Sequence, residues 1–156
     1  METKHYIVDN MSEFSDQIEA VKKLQTYLDY IEGIFPVIEE VLGQEWEGEK
    51  IHIILKDSTG YDRPGGKHTI SIKIHDGAIQ KKNYPENLWG CLLHETLHAF
   101  MNPLIHGKIG GPNFLDGDCD NEPFVRCFQA LVYLALKAKG ELSNAVSDDF
   151  SRSKNL

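Results

Sequence analysis

Between residues 14 and 41, apolar side chains recur at three- and four-residue steps: Phe14, Ile18, Val21, Leu24, Leu28, Ile31, Ile34, Ile38 and Val41. That spacing puts them on one face of an α-helix, so an amphipathic helix backing a sheet is expected. Ser12 or Ser15 can cap its start through a side-chain oxygen. Gly33 and Pro36 are expected to interrupt it, giving a long helix and then a shorter segment that ends near Gly43. Before it, residues 4–8 lean apolar and read as a first strand. Residues 50–55, KIHIIL, are β-branched and apolar and read as a second. Residues 57–67 hold Gly60, Pro64, Gly65 and Gly66 and read as a turn-rich connection. Residues 68–75, HTISIKIH, alternate strictly, with Ile70, Ile72 and Ile74 on one side. A strand with one solvated face, placed at a sheet edge, is expected there.

Residues 76–86 form a polar connection. Residues 88–101 read as a helix anchored in the core by Leu92, Leu93, Leu97 and Phe100, with Pro103 helping to end it. Residues 102–120 are a glycine-rich stretch of 19 residues (120 − 102 + 1), and a loop of that length in a compact domain usually carries function. A last helix is expected over about 122–139. Asp120 or Asn121 would cap it, Pro123 stands in its first turn and Gly140 is its stop. The pattern predicts one α+β domain over residues 1–146 and a polar tail at 147–156, with no repeat and no linker.

Composition narrows the functions open to this domain. A net charge of −8 with no basic stripe speaks against a nucleic-acid partner. No apolar run approaches the roughly 18 residues that span a bilayer. The N-terminal segment lacks a charged-then-apolar leader pattern. Three cysteines, Cys91, Cys119 and Cys127, without C-x-x-C, are no disulfide framework and read as small core residues. A cytoplasmic, reduced protein is the expectation.

The chemistry concentrates in His94-Glu95-Thr96-Leu97-His98, an H-E-x-x-H run within the helix over 88–101. Residues four apart share a helix face, so both imidazoles can bind one metal ion. Glu95 lies beside them as a proton acceptor for a metal-activated water. A catalytic zinc takes three protein ligands and keeps a fourth position open, so a third ligand must come from elsewhere. The candidates are Glu122, Asp116, Asp118, Asp120 and His106. Cys91, one turn before His94, can approach the same place. His52, His68 and His75 read as strand and surface residues.

Asn121-Glu122 follows His98 with 23 residues between His98 and Glu122 (122 − 98 − 1). In this the chain resembles the gluzincins, the thermolysin-like and aminopeptidase-like branch of the zincins. They carry H-E-x-x-H on one helix and a Glu, often preceded by Asn, on a second helix about two dozen residues later. Asn121-Glu122-Pro123-Phe124 is similar to the N-E-G-F run of the aminopeptidase type. The resemblance spans residues 51–139 and implies a zincin-like fold: a small mixed sheet with an edge strand, an N-terminal backing helix, an active-site helix and a glutamate helix. It implies Zn²⁺ held by His94, His98 and Glu122, with Glu95 as general base and then acid, in a metallopeptidase acting on a peptide or protein. It also implies that the strand over 68–75 takes an extended peptide by β-addition.

Two positions depart from the family pattern. Four residues beyond the glutamate ligand, the thermolysin branch often carries an Asp that orients a histidine; here it is Arg126, and Asp116, Asp118 or Asp120 would have to serve. Downstream of Glu122 stands one tyrosine, Tyr133, 11 residues on and so about 16 Å along a helix, too far to steady an oxyanion. An alternative expectation is therefore a zincin-fold domain that binds metal without efficient turnover and serves in protein interaction. The metzincin form is set aside, because its third His would fall at Leu104 and its Gly at Met101.

Overall fold

A computed structural model describes residues 1–56, 60–62, 67–73, 88–104 and 122–141. Strand β1 (Tyr6–Val8) leads through a 3-10 turn (Met11–Phe14) into helix α1 (Ile18–Leu42). Strands β2 (Ile51–Lys56), β3 (Gly60–Asp62) and β4 (Thr69–Lys73) follow. Helices α2 (Leu88–Leu104) and α3 (Glu122–Ala138) complete the described elements. Among the described residues the architecture is α+β, with three α-helices and one four-stranded mixed sheet.

The strand order is β1-β2-β4-β3, with β2 parallel to both β1 and β4, and β3 antiparallel to β4. Successive side chains alternate across a strand, and here one side is buried. Tyr6, Val8, Ile51, Ile53, Leu55, Ile70 and Ile72 form that side and join the core, while His52, Ile54 and Ser71 are only partly covered. The alternation expected for β4 holds over residues 70–72, but Thr69, expected on the solvated face, is buried as well, and the strand is not at the edge. β4 lies between β2 and β3, because residues 60–62 of the supposed turn form a strand that pairs with it, Tyr61 opposite Ile70. Three residues are too few to show a period of two, so β3 is invisible to pattern reading.

Helix α1 differs from expectation at both ends and in the middle. Neither Ser12 nor Ser15 caps it; Gln17 holds the cap position without a side-chain bond. Asn10 is occupied instead with β2, its amide donating to the Leu55 carbonyl at 2.8 Å and accepting from the Leu55 N–H at 2.9 Å. The helix also runs unbroken for 25 residues through Gly33 and Pro36. Proline removes one backbone donor there, but Ile31, Ile34, Phe35, Val37 and Ile38 around it are all buried, and that packing outweighs the local preference. α1 packs against α2 and α3. It meets the sheet at β1 through Phe35, whose ring stacks on His5 at 3.7 Å, lies edge-on to Tyr6 at 6.2 Å and contacts Phe100 of α2 at 5.3 Å.

Gly43 ends α1 at φ +65°, the left-handed conformation that lets its N–H and that of Gln44 close back on the carbonyls of Glu40 and Glu39. An added methyl would meet nothing within 4 Å, so its cost is backbone strain alone. Gly43→Ala should lower stability by about 1–2 kcal/mol in a urea melt, with an unchanged slope.

A polar cluster ties α1 to the N-terminus. One Glu32 oxygen accepts from the Thr3 hydroxyl and from the His5 N–H (2.7 Å), and the other meets His5 Nδ1 at 2.6 Å. Burial pushes this carboxyl up, but the bonds from Thr3 and His5 outweigh it and hold the group below its ordinary value of 4.5. A carboxylate with a lowered native pKa stabilises the fold above its unfolded pKa. That contribution is lost as pH falls through the native value. Thermal melts taken stepwise from pH 6 to pH 3 should therefore fall less steeply for Glu32→Gln than for the wild type. Parallel slopes would show that this carboxylate is not part of the acid sensitivity.

Helix α2 runs to Leu104, so Pro103 falls in its last turn rather than after it. Leu92, Leu93, Leu97 and Phe100 are buried as expected. α3 begins at Glu122 with Pro123 in its first turn, and Gly140 at φ +69° closes it. Residues 105–121, among them His106, Asp116, Asp118, Cys119, Asp120 and Asn121, lie outside the described residues, as do His75 and the tail at 147–156.

Candidate metal centre

From Gly90 to Met101 every side of α2 is buried, because the helix lies against β3 and β4 and is covered by α1 and α3. Its polar residues are therefore held inside the protein. Thr96 fixes the helix against the sheet: its hydroxyl lies 2.8 Å from the Leu92 carbonyl and 2.9 Å from the hydroxyl of Tyr6 on β1. The neighbours of Thr96 in sequence are the residues singled out for chemistry.

His94 and His98, one turn apart, bring their Nε2 atoms to 3.1 Å from each other. The first turn of α3 crosses the same place. Glu122 Oε1 lies 2.8 Å from His94 Nε2 and 2.7 Å from His98 Nε2. Three donor atoms from two helices thus converge on one point. Tetrahedral coordination with bonds of about 2.0–2.1 Å would hold such atoms about 3.3 Å apart. The donor set, two imidazoles and one carboxylate, fits a metal ion, and among the described residues it is the group arranged to hold one. Cys91 is buried but is not part of it.

The charges follow the same geometry. Burial lowers the pKa of His94, which keeps an imidazole lone pair free. Burial raises that of Glu122, but contact with His94 and His98 outweighs it and keeps the carboxylate ionised. Arg126, one turn further along α3, reaches the other Glu122 oxygen at 3.3 Å, so Oε1 alone faces the histidines. Glu95 is 7% exposed, and burial first, then the Glu122 charge, pushes its carboxyl up to about 7. A carboxyl in that range exchanges protons readily near neutral pH.

Compared with models of protein families, with curated proteins and with solved structures, the chain matches none. The functional reading therefore rests on the site's own chemistry.

Two neighbours of the site come from outside the motif. Gln129, two turns after Glu122, places Oε1 at 3.2 Å from His94 Nδ1. It lies three residues beyond Arg126, on the buried side of α3. A signal for it is present in the sequence: Val125, Val132, Tyr133 and Leu136 form the buried stripe of α3, and Gln129 is the polar residue on that stripe. Tyr61 comes from β3. Its ring lies parallel to that of His98 at 6.3 Å, and its hydroxyl is 2.7 Å from His68 Nδ1. Tyr133 is wholly buried in the core, as distance along α3 required.

Two smaller expectations change, those for His68 and Cys127, while His52 is a strand residue as expected. His68 is buried between Trp46 and Tyr61 rather than at the surface. His52 stands on β2 and pairs with Asp9 at 2.9 Å. Cys127 is exposed rather than a core residue, since its position on α3 falls on the solvent side of the buried stripe. Among the described residues no helix is long and apolar enough to cross a membrane.

Proposed function

We propose that the protein is a zinc-dependent peptidase with a gluzincin-like site in a zincin-like fold. The observation that carries this reading is the convergence of His94, His98 and Glu122 with Glu95 buried beside them. His94 and His98 offer Nε2 and Glu122 offers Oε1, one carboxylate and two imidazoles, a set suited to Zn²⁺. When bound, the ion supplies Lewis acidity towards a carbonyl oxygen and a water molecule. Glu95 takes the proton of the attacking water and passes it to the leaving amine. Buried surroundings that lift its carboxyl to about 7 suit both halves of that task.

For a peptide substrate, the sheet order favours β3 over β4 as the strand along which it would add. β3, not β4, is the outer strand of the described sheet, and its Tyr61 faces His98. An extended peptide added along β3 would run beside the metal ligands, with backbone hydrogen bonds holding it. A digest of a broad peptide library, with and without a chelator, tests the reading directly. Chelator-sensitive cleavage is the expected result. Cleavage that ignores the chelator would exclude metal-assisted hydrolysis by this site.

The second reading, a metal-binding domain without turnover that acts in protein interaction, draws on one observation. The tyrosine downstream of Glu122 is sealed in the core and cannot reach an oxyanion. Zinc uptake with no cleavage in the same digest would favour it.

A further inference from the structure

Among the described residues one buried side-chain atom has no hydrogen-bond partner: Nε2 of Gln129. The residue is 4% exposed, in the middle of the apolar stripe of α3. A buried amide that leaves its two N–H donors unmade carries a desolvation penalty without return, which a leucine or methionine at this position would avoid. Such a cost persists where the other end of the group does something a hydrocarbon cannot.

That other end is Oε1, at 3.2 Å from His94 Nδ1. An oxygen only accepts, so the ring nitrogen facing it must carry the proton. The neutral imidazole then has its lone pair on Nε2, the atom that points at His98 and Glu122. If the amide were turned over, its N–H would face Nδ1, the proton would move to Nε2, and His94 could not ligate. Turning it would also exchange one orphaned group for another. The geometry points to Gln129 as a positioning residue: it fixes the metal-competent tautomer of His94 and is retained at the expense of core stability.

The inference rests on the metal-site reading above, but its test does not depend on turnover. Zn²⁺ affinity is measured by competition with a chromogenic chelator, and thermal midpoints are measured on the metal-free proteins. Gln129→Leu should weaken zinc binding by about 10–100-fold, the usual effect of losing an orienting partner. Its metal-free midpoint should stay equal to the wild type or rise. Gln129→Met should behave alike, which covers the case in which leucine does not pack. Gln129→Glu keeps an acceptor oxygen and should bind zinc within about threefold of the wild type. A purely structural glutamine would instead lower stability and affinity together. That joint loss, an unchanged affinity in Gln129→Leu and Gln129→Met, or a Gln129→Glu protein as weak as the leucine one would each overturn the proposal. Failure of the wild-type protein to take up zinc would overturn the metal site itself, and this inference with it.

Discussion

Glu95→Gln should keep its bound zinc and lose peptide hydrolysis by about 10²–10⁴-fold, the usual worth of a positioned general base. The substitution is nearly isosteric, so the buried face of α2 need not repack. It removes the proton acceptor and leaves His94, His98 and Glu122 in place. It also removes a carboxyl that burial and the Glu122 charge disfavour as an anion. The variant should therefore be no less stable than the parent, and the loss should fall on kcat rather than on metal content. Elemental analysis and steady-state kinetics on one preparation read both. Wild-type turnover by Glu95→Gln would remove Glu95 from the mechanism.

Glu122→Ala should lose zinc affinity by more than the roughly 100-fold that loss of an orienting partner costs, since it deletes a ligand atom itself. The reason lies in the contacts. Oε1 meets both histidines at 2.7–2.8 Å, and no other acid of the described residues joins that group. Binding that selects the folded state stabilises it by RT ln(1 + [L]/Kd), about 4 kcal/mol at a thousandfold excess over Kd. A chelator should thus depress the thermal midpoint of the wild type and leave that of Glu122→Ala almost unmoved. Unchanged zinc content in the variant would pass the third-ligand role to an aspartate among residues 116–120.

Much of the site is legible in the amino-acid sequence, because helical periodicity is a short-range rule. Four residues make one turn, so His94 and His98 had to share a face wherever α2 lay. The spacing to Glu122 named the residue that α3 in fact brings to them, through the resemblance to a known pattern. The helices are legible for the same reason, their buried stripes recurring over many residues. The breaks expected at Gly33 and Pro36 fail because packing of Phe35 and its neighbours, not propensity, governs the middle of α1.

The sequence by itself determined that His94 and His98 share a face of α2, that β1, β2 and β4 are strands, and that α3 runs from about Glu122 to just before Gly140. It could not order the sheet. β3 is three residues long in a glycine-rich stretch, and only its pairing with β4 makes it a strand and brings Tyr61 to His98. Nor could it place a partner at His94: the buried stripe of α3 marks Gln129 as a polar residue facing inward, but only the docking of α3 on α2 brings that residue to the ring. The physical reason is common to both: periodicity fixes which residues share a face of one element, while contacts between elements depend on long-range burial that no local pattern encodes.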